Sequence, residues 1–307
     1  MIFLALAVMD YGELFRPVGR NSLIESLREY GAVPINTPIP QELEGESITA
    51  AARLFALPDE EKMRHRGRTP LDAGYAPYGS ARALDTGVAN LLESWTVSAD
   101  SPRSHPSHLI DEWYALTAFA RHLRSLGENL LALIDQGWSA AGVMVRTMSP
   151  DVFPYQLFRY PRSLLGVDAR ARRQSIHRDS SIITLLPPAT GSGLLIEHQG
   201  EFIAADTPPG CVTVMAGSLL EHLTAGGIRS CTHTVETPGD PEHGQDRLSS
   251  IYFVNARNGV SIPSVQRGGS VDRTVPTIDS DSHAEHYSRR VFGTQEPDCC
   301  ENLPEGG

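Results

Sequence analysis

The chain has 307 residues, 40% of them hydrophobic, enough to bury a sizeable core in one large domain or two small ones. Its formal net charge of -11 leaves no basic footprint for a phosphate backbone or an anionic membrane surface, so no nucleic acid and no membrane is expected as partner. A small-molecule substrate is expected instead, and no stretch approaches the roughly 20 apolar residues that cross a bilayer.

Lys62 is the one lysine among 26 basic residues, a skew read as the mark of a GC-rich bacterial genome. Cys211, Cys231 and the neighbours Cys299 and Cys300 make no CxxC pair, which suits a reduced, cytoplasmic protein. Residues 2–9 are apolar, but no basic residue precedes them and Asp10 follows, so a first β-strand is expected rather than a secretion signal. A short helix is predicted over residues 21–29 and a strand over 32–35. A longer helix follows over 40–57, with Ile48, Ala51, Ala52, Leu54 and Phe55 inward. Residues 58–62 begin another turn, and residues 67–87, rich in Gly, Pro and Ala, read as a loop before a strand at 93–97.

The strongest helical pattern covers residues 108–138, where Leu109, Trp113, Leu116, Phe119, Leu123, Leu126 and Leu130 recur in steps of three and four. Such a stripe marks a scaffold helix packed across a sheet. From residue 153 the texture becomes β-rich, with runs at 156–160, 175–186, 193–197, 211–216, 232–237 and 248–255 separated by turns. No helices alternate with them, so an antiparallel sandwich or barrel is expected. The expected fold class is mainly β with α: a double-stranded β-helix, or jelly roll, buttressed by N-terminal helices. The expected divisions are a helical N-terminal part over 1–100, a scaffold helix within 101–150, the jelly-roll core over 151–265, and a C-terminal helix and tail over 266–307.

Within Ser175-Ile176-His177-Arg178-Asp179-Ser180, an imidazole and a carboxylate stand two residues apart on an expected strand, and period two aims both to one face. His233, at the start of a later run, adds a second imidazole. Two histidines and a carboxylate on one side of a metal leave the opposite positions open, as non-haem Fe(II) needs in order to bind a substrate acid and O2 together. An HxD triplet alone is common by chance; its company gives it weight. Arg247 and Ser249 stand at i and i+2 on an apolar strand and can hold a carboxylate, such as one end of 2-oxoglutarate, although Arg247 alone reads as a surface ion pair.

The blocks 28–33, 51–62, Gly74-Tyr75, Leu92-Glu93-Ser94-Trp95, His177-Arg178-Asp179, Thr184-Leu185-Leu186, Pro209-Gly210, Thr232-His233 and Arg247-Leu248-Ser249 occur in an order with a family likeness. The chain resembles the isopenicillin N synthase-like 2-oxoglutarate/Fe(II) dioxygenases, most closely bacterial members such as deacetoxycephalosporin C synthase. The resemblance implies Fe(II), 2-oxoglutarate and O2 as cofactor and cosubstrates, with iron on His177, Asp179 and His233. It also implies that Arg247 and Ser249 bind the distal carboxylate of 2-oxoglutarate and that Tyr160 touches it. Phe158 stands where many members have asparagine, and residues 238–246 lengthen the approach to Arg247. The expected substrate wall is Tyr75, Trp95, Arg159, Ile183, Tyr252 and the tail.

The activity so implied is oxidation of an unactivated C–H bond in a small-molecule intermediate of bacterial specialised, antibiotic-type metabolism, by hydroxylation, desaturation or oxidative cyclisation. The acidic chain suits an amine-bearing substrate. Two other readings remain: an isopenicillin N synthase-like Fe(II) oxidase without 2-oxoglutarate, and a jelly-roll binding protein without turnover. His222 reads as a turn histidine, His198, His243, His283 and His286 as surface residues, and Cys211 as a small core residue. No GxSxG, Walker or GxGxxG signature is present.

Overall fold

The computed structural model describes residues 6–69, 72–82, 87–98, 105–149, 155–162, 172–236 and 246–292. Pro17, whose missing N–H is one that a first helical turn leaves unbonded anyway, opens α1 (Pro17–Tyr30), and Leu23, Ile24 and Leu27 are its buried stripe. After β1 (Ala32–Asn36) come α2 (Gln41–Phe55), α3 (Asp59–Arg64), β2 (Gly74–Ala76) and β3 (Glu93–Val97). A 3-10 turn then leads into α4 (Ile110–Trp138), followed by α5 (Val143–Thr147). The β-rich half holds β4 (Tyr155–Tyr160), β5 (Gln174–His177), β6 (Ile183–Leu186), β7 (Leu194–His198), β8 (Glu201–Ala204) and β9 (Cys211–Ala216). It continues through α6 (Ser218–Leu223), β10 (His233–Val235), β11 (Arg247–Val254), β12 (Ser261–Ile262), β13 (Ile278–Asp279) and α7 (Ser280–Phe292).

Antiparallel pairing builds a large sheet in the order β1-β9-β6-β11-β4-β3-β2 and a small one in the order β5-β10-β7-β8. From β4 to β11 the chain passes back and forth between the two sheets, with β7 and β8 as a hairpin inside the small one. That weave is the jelly roll. Helices α1, α2 and α4 cover the outer face of the large sheet, and the two sheets face each other on its inner side.

Each face therefore has its own core, selected by period two. Ile183, Leu185, Val212, Val214, Tyr155, Leu157, Trp95, Tyr252 and Val254 pack outward with the α4 stripe. Leu186, Met215, Tyr160, Phe158 and Ile251 point inward, toward Leu194, Ile196 and Val235 of the small sheet. Fully buried α4 residues such as Leu116, Leu123 and Leu130 are 0% exposed, and each contributes about 1.5–3 kcal/mol by leaving water. The helix lies close on the sheet because Gly127 has no side chain: a Cβ there would stand 2.7 Å from Cγ2 of Val254.

The structure differs from the sequence reading where the chain turns sharply. The run 175–186 is two strands, β5 in the small sheet and β6 in the large one, joined by the segment that carries Asp179. The expected loop at 67–87 contains β2, and β8 pairs with β7 across Gln199 and Gly200, both at positive φ. Of the expected first strand, Met9 makes a single bridge to Ile35, and residues 1–5 lie outside the described residues, as do 294–307. No described helix is long and apolar enough to cross a membrane.

Candidate metal centre and cosubstrate pocket

His177 ends β5 and His233 begins β10, and the register sets them directly opposite each other, with ring centroids 4.1 Å apart. Each ring turns Nδ1 to a backbone carbonyl two residues earlier: His177 to Ser175 at 2.8 Å and His233 to Cys231 at 3.1 Å. A carbonyl only accepts, so both Nδ1 atoms carry a proton and the Nε2 atom of each ring is the one left to face the site. Those Nε2 atoms face Oδ1 of Asp179 at 3.5 and 3.9 Å.

Asp179 reaches this point from beyond the end of β5 and not by strand alternation. Its carbonyl accepts from Ser218 N–H at 2.8 Å, and Ile182 N–H, three residues on, bonds Val254 O at 2.8 Å. Gly217 closes the arrangement, since a Cβ on it would sit 2.0 Å from Ser181 O. Thr184, inward-facing on β6, donates from Oγ1 to Oδ2 of Asp179 at 2.6 Å, leaving Oδ1 turned to the two imidazoles. Burial alone would raise the Asp179 pKa, but attraction to His233, the bond and charge of His177, and the Thr184 hydroxyl outweigh it and hold it at about 2. His233 is lowered to about 4, by burial first and by His177 second. Near neutral pH these two groups are thus a carboxylate and a neutral imidazole. The three donor atoms lie within 4.8 Å of one another. Two imidazole nitrogens and one carboxylate oxygen, each held by a bond behind it, fit a divalent metal such as Fe(II).

The three donors line a cavity of about 570 Å³ between the sheets. Its far wall comes from one face of the large sheet: Ser94 of β3, Gln156, Phe158 and Tyr160 of β4, and Arg247, Ser249, Ile251 and Phe253 of β11. Arg247 is 5% exposed, donates from Nε to Gly191 O at 3.0 Å, and lies 5.1 Å from the centre of the Tyr160 ring opposite it in the register. Among the described residues no acidic group lies within ion-pair distance of Arg247, so its buried charge is available to a ligand carboxylate. Burial raises the Tyr160 phenol above its ordinary pKa, and Arg247 and Ser249 partly offset this.

None of the five residues expected to form the substrate wall lines this cavity, and alternation explains it. Trp95, Ile183 and Tyr252 occupy the opposite strand parity and are buried under the helices; Tyr75 packs beside Trp95 with ring centroids 5.5 Å apart. Arg159 also points away, to Glu93 and to Asp246 at 2.7 Å. Their neighbours Ser94, Phe158, Tyr160, Ile251 and Phe253 face the cavity instead. Thr184 was missed, although period two from Ile183 to Leu186 could have placed it on the inner side. His283, expected on the surface, lines the cavity and sits 3.0 Å from Ser218 Oγ. His286 is exposed, His198 packs on Tyr30, and His222 donates to Ile262 O at 2.9 Å; Cys211 is buried, and His243 lies outside the described residues.

Comparison with known proteins agrees with this geometry. Residues 156–256 match the 2OG-Fe(II) oxygenase superfamily, and residues 9–116 match the N-terminal region described as non-haem dioxygenase in morphine synthesis. The chain is 26% identical over 229 residues to 2-oxoglutarate-dependent dioxygenase 19 of Oryza sativa subsp. japonica, covering 71% of this chain and 64%, under two thirds, of that protein. It is 26% identical to 2-oxoglutarate-dependent dioxygenase frbJ of Dothideomycetidae sp. (strain 11243), covering 94% of this chain and 83% of that one. A full-length Neurospora crassa protein, solved in complex with alpha-KG and thymine, superposes with a TM-score of 0.78 at 19% identity, covering 93% of this chain and 96% of that one. The chain belongs to the 2OG-Fe(II) oxygenase superfamily, whose dioxygenases use iron(II), 2-oxoglutarate and O2.

Proposed function

We propose that this chain oxidises an unactivated C–H bond of a small molecule in a 2-oxoglutarate- and Fe(II)-dependent reaction. His177, Asp179 and His233 hold the iron, and Arg247, Ser249 and Tyr160 hold the distal carboxylate of 2-oxoglutarate. One observation carries the reading: a single cavity joins three converging donors to a buried guanidinium that has no acid partner among the described residues. When bound, iron(II) couples the oxidative decarboxylation of 2-oxoglutarate by O2, which gives succinate and CO2, to oxidation of the substrate. The residues of the chain supply position. Arg247 and Ser249, two apart on β11, grip the far end of the cosubstrate, and Thr184 keeps one oxygen of Asp179 engaged so that the other stays free for metal.

The rest of the wall bears on the substrate. Ser94, Gln156, Asn255 and Asn258 offer uncharged hydrogen-bonding groups beside Phe158 and Phe253. Asp206, the lining acid apart from Asp179, already accepts from the amides of Gly193 and Leu194 at 3.1 and 3.0 Å. The described lining therefore offers no free carboxylate to an amine, and it favours an uncharged polar substrate over the cationic one that net charge suggested. An intermediate of specialised metabolism, oxidised by hydroxylation, desaturation or ring closure, is the class we assign. Thymine, bound in the Neurospora protein, is a rational first compound in a panel of uncharged heterocycles. The test is succinate release in air with Fe(II) and 2-oxoglutarate across that panel. Substrate-stimulated succinate with matching oxidised product is expected; its absence across the panel, together with no binding of 2-oxoglutarate, would refute the reading.

A further inference from the structure

Among the described residues, three buried side-chain nitrogens lack a hydrogen-bond partner, and two of them, Nδ2 of Asn90 and Nε of Arg173, belong to neighbouring segments. Oδ1 of Asn90 accepts from Ser175 N–H at 3.0 Å, and Leu91 N–H bonds Arg172 O at 3.0 Å, so residues 90–91 run against 172–175. Arg173 is 2% exposed, and its guanidinium lies 6.0 Å from the centre of the Tyr160 ring, the ring that Arg247 also approaches, at 5.1 Å. Among the described residues, neither guanidinium has an acid within ion-pair distance.

Two like charges buried around one phenol are costly when Asp246, which attracts Arg173 only from beyond ion-pair distance, is itself held by Arg159, and a buried guanidinium nitrogen with no acceptor adds to the cost. Packing alone does not account for the arrangement, because an apolar chain would fill the place beside Tyr160 at lower cost. An anion entering the cavity at Arg247 would relieve both charges at once. We propose that Arg173 is a positioning residue for the cosubstrate: with Arg247 it sets the positive potential around Tyr160 that selects a dicarboxylate over a monocarboxylate. This rests on the assignment of Arg247 and Tyr160 to the distal carboxylate of 2-oxoglutarate.

The test measures binding rather than turnover. Iron-loaded protein, kept free of oxygen, is titrated calorimetrically with 2-oxoglutarate and with 2-oxobutyrate, which has the same 2-oxo acid head and no distal carboxylate. Arg173→Met is expected to weaken 2-oxoglutarate about tenfold and 2-oxobutyrate by less than about twofold, and Arg173→Lys to recover most of the loss. Arg173→Gln tests the same charge with a polar chain in place if the Met variant does not fold. Unchanged 2-oxoglutarate affinity, or equal loss for both acids, overturns the inference while leaving the assignment of Arg247 standing. A wild-type protein that binds 2-oxoglutarate no better than 2-oxobutyrate overturns both.

Discussion

Replacing Glu93 with leucine removes a carboxylate that serves three donors at once: Lys62 Nζ at 2.9 Å, the Tyr75 hydroxyl and the Arg159 guanidinium. The side chains of Lys62 and Glu93 are 3% and 4% exposed, so Glu93→Leu strands the single lysine of the chain in the interior with only the exposed Asp59 at 3.0 Å. Removing one partner of such a pair costs about 3–5 kcal/mol, which for a chain of this size lowers the melting temperature by on the order of 10 °C. The double variant Lys62→Met/Glu93→Leu removes the stranded charge and should regain most of that loss by scanning calorimetry. The network also ends beside the pocket, since Arg159 bonds Asp246, the residue before Arg247, at 2.7 Å. The KM for 2-oxoglutarate should therefore rise more than iron affinity falls. An unchanged melting temperature for Glu93→Leu, or a double variant no more stable than the single one, would show that the network does not hold this wall.

Thr184→Val keeps the shape of the side chain and removes the 2.6 Å bond to Asp179; iron affinity should drop by about 10–100-fold, and the unmatched buried oxygen should lower the melting temperature of the metal-free protein by a few degrees. Arg247→Met should weaken 2-oxoglutarate by about 1.5–3 kcal/mol, read as KM from succinate assays, with Arg247→Lys retaining part of the affinity. For metal-free protein, the His233 pKa is lowered from 6.5 to about 4, so the folded state favours the neutral ring. That contribution, on the order of 3 kcal/mol, is complete above about pH 6.5 and is lost as pH falls toward about 4. Melting temperature should fall steeply with pH across that window for wild type and less steeply for His233→Phe; parallel slopes would count against it. His283→Ala should raise the KM of the oxidised substrate while leaving that of 2-oxoglutarate unchanged, because His283, on α7 at the cavity wall, meets Ser218, whose amide bonds Asp179 O, and among the described residues it makes no hydrogen bond to Arg247, Ser249 or Tyr160.

What could be read from the chain was what repeats. The α4 stripe, the strand at 93–97 and the β-rich half follow from period and run length, and the two histidines and the aspartate stand in a spacing that metal chemistry recognises. Turns were harder. The segment 178–182 redirects the chain between sheets through backbone bonds to Val254 and Ser218, which lie far away in sequence, so residues 175–186 looked like one strand. The substrate wall was misread for a related reason. Alternation says that Phe158 and Arg159 face opposite ways, but only the positions of the helices and of the small sheet decide which way is inward. Trp95, Arg159 and Tyr252 carry the larger or charged side chains on these strands, whereas Ser94, Phe158 and Ile251 face the cavity.

The most direct test of the central claim is anaerobic titration with Fe(II), with and without 2-oxoglutarate, of wild-type protein and of a His177→Ala/His233→Ala variant. The account predicts one tightly held ferrous ion per wild-type chain and a visible chelate absorption when 2-oxoglutarate is added, with both lost in the variant. Iron binding by the variant equal to that of the wild type would contradict it.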